Sequence, residues 1–469
     1  MEALQVELQQ FLHALGTHRG PCILLDNGGQ ISYEAIWEAA EFNAGLLRKA
    51  VRGGTAGRLI MLLDISLGWK CVPLLLAAFK LRAVTIPVDP GGRPHLFRSI
   101  RARFPESILI GPEDVNASGK MGYSPAPSLQ AVHSAEWKDT GVVLFTSGSS
   151  GTPKGVMLSF RNILSNVQSI LLYYPLGRHD KVWISRPLTT PSAITGELLT
   201  ALASGSSVYI SQGRSPLTAV KQIETLGLTR MCTTPTLAAL IAGKHTVMNI
   251  SSLRTVVLSG EVLHEGLYGR ISSQMSGVRV WNAYGMTEAS PRISCYTGDT
   301  PFTSGCVGFP LHDVSVRIVD EQGQELPDGE QGELIVRGPN IMQGYLDNPE
   351  LTNGAIRNGW LYTGDSACVV KGRIIIAGRR DQMMIRGGEN VYPEEIQGVI
   401  LGCPGVAGVQ VRQDQKDRRI HAIVAAAGEV SEGELFRYIR LNADSRLWPD
   451  RISVVESLVP NTAGKTRRR

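Results

Sequence analysis

Residues 141–159 read Gly-Val-Val-Leu-Phe-Thr-Ser-Gly-Ser-Ser-Gly-Thr-Pro-Lys-Gly-Val-Met-Leu-Ser. The apolar run from Val142 to Phe145 predicts a short buried strand that stops at Thr146. From Thr146 to Gly155 nearly every residue is small, hydroxylated or glycine. Gly148, Gly151 and Gly155 let the backbone turn sharply and bring N–H groups up to an anion with no Cβ in the way. The hydroxyls of Thr146, Ser147, Ser149, Ser150 and Thr152 add donors, and Lys154 adds positive charge. Ser159 then reads as an N-cap, and Phe160, Ile163, Leu164, Val167 and Ile170 recur at helical spacing. A strand, a phosphate-sized loop and a helix, in that order, make a device for holding a polyphosphate.

An ordinary Gly/Ser surface turn would not concentrate five hydroxyls, three glycines and a lysine in ten residues. The NTPase phosphate loop needs Gly-x4-Gly-Lys-Ser/Thr, and the spacing here does not fit it. Gly464-Lys465-Thr466 supplies the second half of that motif, but Val459 stands where its first glycine must be. The stretch instead resembles the phosphate loop of the acyl-adenylate-forming enzymes, which include acyl-CoA synthetases, adenylation domains of peptide synthetases and firefly luciferase. The resemblance implies a mobile loop, with Thr146, Ser147, Gly148, Ser149, Ser150, Gly151, Thr152 and Lys154 gripping the β- and γ-phosphates of ATP.

The whole chain is compatible with that reading. At 469 residues it exceeds one average domain, and 43% hydrophobic against 19% charged residues describes a globular protein with ample core. The formal charge of +5 suits anionic small molecules and lacks the clustered basicity of a nucleic-acid binder. Seven cysteines are scattered without a Cys-x-x-Cys pair, which fits reduced thiols in a cytoplasm better than a disulfide framework or a zinc site. The opening Met1-Glu-Ala-Leu-Gln-Val-Glu lacks the basic and apolar regions of a signal peptide. The longest apolar stretch, Val72 to Phe79, is too short to span a bilayer, so no transmembrane segment is expected.

Residues 1–140 alternate helical and strand signals. Leu4, Leu8, Phe11, Leu12 and Leu15 lie on one helix face, and Asp26-Asn-Gly-Gly between two apolar runs marks a hairpin. Strands over 58–63 and 83–88 flank a buried helix over 69–81, an order that argues for a parallel, doubly wound sheet. In the resembling family a glycine is common where Arg82 stands. The alternation resumes over 160–285, giving two similar α/β halves, and turns β-rich over 305–377. From Gly378 onward a compact α+β segment follows. The expected class is α/β: an N-terminal domain over 1–378 with doubly wound parallel sheets and a β-rich subdomain. A small mobile α+β domain over 379–469 completes it.

Three further stretches carry chemistry. Asn282-Ala-Tyr-Gly-Met-Thr-Glu288 follows a strand, and a Tyr–Gly pair with an acid four residues beyond the tyrosine can stack a base and reach a phosphate-bound magnesium. Magnesium shares the nucleotide's oxygens, so a single carboxylate, Glu288, is enough. Gly359-Trp-Leu-Tyr-Thr-Gly-Asp365 places an acid at the end of a tight turn, where it could accept from both hydroxyls of a ribose or merely close its own turn. Ile385-Arg-Gly-Gly-Glu-Asn-Val-Tyr-Pro joins a glycine pair to a helix start.

The resemblance extends to all three and to the C-terminus. It implies that Tyr284 stacks on adenine, that Asn282, Ala283 and Gly285 line the base, and that Thr287 and Glu288 serve the α-phosphate and Mg2+. It implies ribose binding by Asp365, a ribose or phosphate contact by Arg379, and a hinge at Asp381. Gln382 stands where the family often has an acid. Gly387 and Gly388 would border the tunnel for the thiol of CoA, and Lys465 in Asn461-Thr-Ala-Gly-Lys would be the catalytic lysine.

The acid pocket is expected between Arg186–Ser192, with Thr190 and Ser192, and the strand ends at Ser259, Gly260 and Asn282. None of residues 187–195 is acidic, which argues against an amino-acid substrate and for a plain fatty or aryl acid. The implied reaction is acyl-AMP formation with release of pyrophosphate, followed by transfer to CoA. A separate acyl carrier protein is the alternative acceptor, and a regulatory nucleotide-binding protein without catalysis is the reading from another class. Phe160, where a histidine is frequent, has no functional reading from sequence.

Overall fold

The computed structural model describes residues 2–50, 58–122, 137, 139–146, 153–211, 216–242, 249–386, 389–414, 418–426, 430–456 and 458. The expected elements at 147–152, the glycine pair 387–388 and Lys465 lie outside these residues. Two sheets dominate. In the first, the strands Thr140–Thr146, Val84–Val88, Ile60–Asp64 and Ile108–Ile110 run parallel in that spatial order. The helix Cys71–Leu81, which in sequence connects Ile60–Asp64 to Val84–Val88, is buried, as its nearly continuous apolar composition requires.

The deciding stretch differs from expectation in one respect. Lys154–Ser159 is a strand, paired antiparallel with Thr140–Thr146. Thr140–Thr146 and Lys154–Ser159 are therefore two arms of a hairpin, and the helix Phe160–Tyr173 begins only after the second arm. The residues explain the difference: Val156, Met157 and Leu158 form a second apolar run, buried on both faces, which is a strand signature. Ser159 is the N-cap, as expected. Its hydroxyl accepts from the Asn162 N–H at 3.0 Å while the Asn162 side chain accepts from the Ser159 N–H at 2.8 Å.

The second sheet contains Arg279–Gly285, Thr255–Ser259, Arg230–Thr233, Lys181–Ile184, Ser207–Ile210 and Pro21–Leu24 as parallel neighbours. It continues without a break into antiparallel strands from the β-rich stretch: Arg292–Tyr296, Cys306–Pro310, Arg373–Arg379, Trp360–Val370, Gly332–Arg337 and Ser315–Val319. The β-rich stretch is thus an extension of the second parallel sheet. The N-terminal hairpin forms the opposite edge, and the first helix, Glu2–Thr17, buries Leu8, Leu12 and Leu15.

The expected division at 378/379 falls at the end of the strand Arg373–Arg379. Beyond it lie the helices Pro393–Leu401 and Glu432–Asn442 and a sheet of Val406–Gln413, Ile420–Ala426 and Arg451–Val455. This segment rests on the helix Glu265–Gln274. A Cβ at Gly398 would meet the His264 ring at 1.9 Å, so the helices approach as closely as they do because that residue is glycine. Arg270 Nη1 donates to the carbonyls of Cys403 and Val406 at 3.3 Å, fastening the seam.

Two sequence oddities find structural reasons. Arg82 caps the helix Cys71–Leu81 in the left-handed conformation with φ +54°, the reason glycine would be usual there. Its carbonyl accepts from Arg58 Nε at 2.8 Å and its guanidinium pairs with Asp139 at 3.0 Å, which hold an otherwise costly conformation. Phe160 is fully buried, edge-on to Phe79 at 5.0 Å, with Arg58 over its face at 5.7 Å. It fastens the helix after the hairpin to the buried helix of the first sheet. Phe160→Ala should therefore destabilise the fold by about 3–5 kcal/mol, the range for truncating a buried aromatic. Denaturant titration checks this; a change under about 1 kcal/mol would remove the anchoring role.

Candidate active site

The carboxylate of Asp365 joins three strands. Its Oδ2 accepts from the Tyr284 hydroxyl at the end of Arg279–Gly285, and its Oδ1 accepts from Arg379 Nη1 at 3.2 Å. Arg379 Nη1 also donates to the Thr363 carbonyl at 2.8 Å, and its Nε reaches Asp381 Oδ1 at 3.4 Å. Asp365 and Arg379 face each other in the register of the pair Trp360–Val370 and Arg373–Arg379. Here the structure corrects the sequence reading: Asp365 sits within a strand, not at the end of a tight turn. The one turn-like residue is Gly364, with φ +71°, where a Cβ would crowd Arg379 Nη2 at 3.0 Å. Burial, then the neighbouring carboxylate, push the Tyr284 phenol well above its ordinary range, so it stays a hydrogen-bond donor. Burial works against the Arg379 charge, but Asp365 and Asp381 hold it above the usual arginine range.

The rest of the Asn282–Glu288 stretch is shaped by close approach. A Cβ at Gly285 would lie 1.9 Å from the Pro291 carbonyl oxygen, which also accepts from the Met286 N–H at 2.9 Å. Only glycine lets the turn through Thr287–Ala289 fold back here. Asn282 is buried and donates to the Cys306 carbonyl at 2.8 Å, while its Oδ1 is without a hydrogen-bond partner among the described residues. Ala283 is buried beside it.

Glu288 has a partner that sequence reasoning missed. The Tyr345 hydroxyl donates to Glu288 Oε1 at 2.8 Å, and the ammonium of Lys154 lies 5.6 Å from the Tyr345 ring centroid. The two-residue strand Gly344–Tyr345 pairs with Lys154–Ser159, so it carries Tyr345 from the hairpin to the acid. Nothing in the local sequence around Tyr345 signals this; only the pairing does. Thr146, opposite Lys154 in the hairpin register, and Thr287 are partly exposed at the same place.

The expected acid pocket comes together in part. Arg186 Nη2 donates to the Ser259 carbonyl at 2.8 Å, linking two of its segments, and Gly260 follows in the left-handed region with φ +93°. Thr190 is occupied locally: its hydroxyl donates to the Pro187 carbonyl at 3.0 Å and accepts from the Ala193 N–H at 3.4 Å. Ser192 opens a π-helical stretch to Leu199. Two residues beyond the acid-free window 187–195 stands Glu197, fully buried, with Arg186 and Arg292 nearby. Burial raises its carboxyl to about 7 although both guanidiniums oppose that. Neither Glu197 nor Arg292 was singled out from sequence, since neither belongs to a motif.

No group of three or more His, Cys, Asp or Glu side chains suited to a metal ion occurs among the described residues. A nucleotide-borne magnesium needs only one or two protein carboxylates, and the partly exposed Glu288 fits that demand. Among the described residues no helix is long and apolar enough to cross a membrane.

The chain matches, over residues 13–346, the family model described as AMP-binding enzyme. It is 28% identical over 414 residues to a feruloyl-CoA synthase of an Amycolatopsis species, covering 83% of this chain and 84% of that protein. It is 31% identical over 338 residues to a 2-succinylbenzoate–CoA ligase of Bacillus mycoides, covering 70% and 68%. Its fold is similar to that of ATP-bound MatB from Rhodopseudomonas palustris, with TM-score 0.81, 23% identity, and coverage of 98% and 96%.

If Asp365 receives a ribose, Asp365→Ala should weaken ATP and AMP alike. A charge-assisted hydrogen bond contributes roughly 1.5–3 kcal/mol, so losses of about ten- to a hundredfold are expected by calorimetric titration. Unchanged AMP affinity would remove the ribose role.

Proposed function

Because this chain belongs to the AMP-binding enzyme family, within the acyl-adenylate-forming superfamily, we propose that it activates a fatty or aryl carboxylic acid with ATP and passes the acyl group to the thiol of CoA. The observation that carries this reading is the convergence, at the C-terminal end of the strand Arg279–Gly285, of the Tyr284–Asp365–Arg379 network and the Glu288–Tyr345–Lys154 cluster. The CoA ligase names of the relatives support the acceptor. Seven free cysteines suit a reducing compartment such as the cytoplasm.

In the first half-reaction a carboxylate oxygen attacks the α-phosphorus of ATP. The bond to the bridging oxygen breaks, and pyrophosphate leaves with its electron pair. In the second, the CoA sulfur attacks the acyl carbon of the mixed anhydride, loses its proton, and AMP departs. The first step brings anion toward anion, so its barrier falls chiefly through positioning and electrostatic screening. Tyr284 would present its ring to the base, its hydroxyl fixed on Asp365, and Asp365 and Arg379 would hold the ribose. Glu288 would hold Mg2+, which supplies charge neutralisation to the phosphates. Thr287 would donate to the α-phosphate and Lys154, with the hydroxyls of 146–152, to the departing pyrophosphate. Lys465 would bridge the attacking and phosphate oxygens.

Lys465 and Gly387-Gly388 are assigned to one centre although they lie far apart in the segment 379–469. We propose that this segment is a separate domain that rotates about Asp381, opening the His264–Gly398 seam, so that lysine serves the first step and glycine the second. Lys465→Ala should then lose acyl-AMP synthesis but still convert supplied acyl-AMP to thioester. Gly388→Leu should do the reverse, and Asp381→Pro should trap one pose by stiffening the backbone. Each variant is checked for folding and assayed with acid plus ATP or with acyl-AMP plus CoA. Equal damage to both half-reactions by Lys465→Ala and Gly388→Leu would contradict the rotation.

A further inference from the structure

Residues 342–346, Met-Gln-Gly-Tyr-Leu, tie the turn that carries Glu288 to the hairpin arm that begins at Lys154. The Met342 N–H donates to the Glu288 carbonyl at 2.8 Å. The Gln343 N–H donates to the Met157 carbonyl at 2.9 Å, and the Leu346 N–H to the Gly155 carbonyl at 2.8 Å. The turn that follows holds Tyr345 itself: its N–H donates to Thr352 Oγ1 at 2.9 Å, and its carbonyl accepts from the Asn348 N–H at 3.1 Å. The backbone on both sides of the tyrosine is therefore fixed, and the direction of its ring with it.

The ring is 8% exposed and packs in the core, so an apolar side chain would serve packing alone. A hydroxyl at the tip of a buried ring is costly unless it is bonded, and this one donates to Glu288 Oε1 at 2.8 Å. A phenol is protonated at neutral pH, so it meets the carboxylate as a donor. Glutamate has several rotamers open to it at a partly exposed position, and ordering it only when a ligand arrives costs entropy. Here the order is already present, because the Glu288 carbonyl is bonded to Met342 and the carboxylate to Tyr345. Carboxylates that ligate metals are ordinarily held from behind by such donors, which orient them.

We propose that Tyr345 is a positioning residue for Glu288: its hydroxyl fixes the carboxylate through one oxygen, so that the other is presented to the magnesium carried by ATP. The brace 342–346 keeps that carboxylate in register with the hairpin arm, whose Lys154 ammonium lies 5.6 Å from the same ring. Tyr345 touches neither metal nor substrate in this scheme and acts through Glu288. The inference rests on the proposed role of Glu288 toward magnesium and adds the residue that aims it.

The test is calorimetric titration of the full-length protein with ATP, once with magnesium in excess and once with EDTA in excess. Wild type, Tyr345→Phe, Glu288→Gln and the double variant are compared. Phenylalanine keeps the ring that packs in the core and meets Lys154, so only the hydroxyl is lost. Tyr345→Phe should weaken magnesium-ATP about 10- to 100-fold, the usual cost of losing a residue behind a metal ligand, and metal-free ATP less than about twofold. The double variant should bind magnesium-ATP no more weakly than Glu288→Gln alone, because the hydroxyl acts only through that carboxylate. Equal weakening of both forms of ATP, unchanged binding of both, additive losses in the double variant, or a Tyr345→Phe protein that no longer folds would overturn the positioning role and leave the metal role of Glu288 standing. Glu288→Gln that binds magnesium-ATP as wild type does would overturn both.

Discussion

A single carboxylate, Asp365, holds the proposed nucleotide site together. It lies between the Tyr284 hydroxyl and the Arg379 guanidinium, groups delivered by strands that are distant in sequence. Arg279–Gly285 is the last parallel strand of the second sheet, whereas the strands bearing Asp365 and Arg379 belong to its antiparallel extension. The carboxylate has a counter-charge and a neutral donor together, the partners that a mostly buried charge requires. Arg379 in turn reaches Asp381, so the same network ends at the residue proposed to govern rotation of the C-terminal segment.

Backbone approach sets the remaining geometry. The turn through Thr287–Ala289 can bring Glu288 back toward the hairpin only because Gly285 has no side chain to strike Pro291. A Cβ at Gly308 would lie 2.1 Å from the Cys295 carbonyl oxygen, so its strand passes there only as glycine. The strand Gly344–Tyr345 then closes the arrangement from the first sheet, giving Glu288 its donor. The two sheets thus contribute separately: the first supplies Lys154 and Tyr345, the second Tyr284, Glu288, Asp365 and Arg379.

The parallel strands were legible because their apolar runs are short, bounded by turn residues and interleaved with helical periodicity. Ile60–Asp64 and Val84–Val88 fall where the pattern places them. Local pattern misled where strand pairing overrode it. The sequence reading passes from the loop to the Ser159 cap with no element over Val156–Leu158, yet burial and pairing make these residues part of the second arm of a hairpin. Asp365 reads as a turn residue because glycine precedes it, yet the register with Arg379 keeps it in a strand. Tyr345, Glu197 and Arg292 carry no motif. Their proximity to Glu288 or to each other is created by tertiary pairing, which one sequence does not display. Phe160 has no functional reading in sequence because the partners that make it a core residue, Phe79 and Arg58, are distant along the chain.

The most direct measurement of the central claim follows oxygen. An acid that supports exchange is labelled with oxygen-18 in both carboxylate positions and supplied with ATP, magnesium and CoA, and the released AMP is weighed by mass spectrometry. Attack of the carboxylate on the α-phosphorus, followed by thiol attack on the acyl carbon, leaves one labelled oxygen on each AMP. Unlabelled AMP, or label appearing in inorganic phosphate with ADP formed instead, would contradict an acyl-adenylate route.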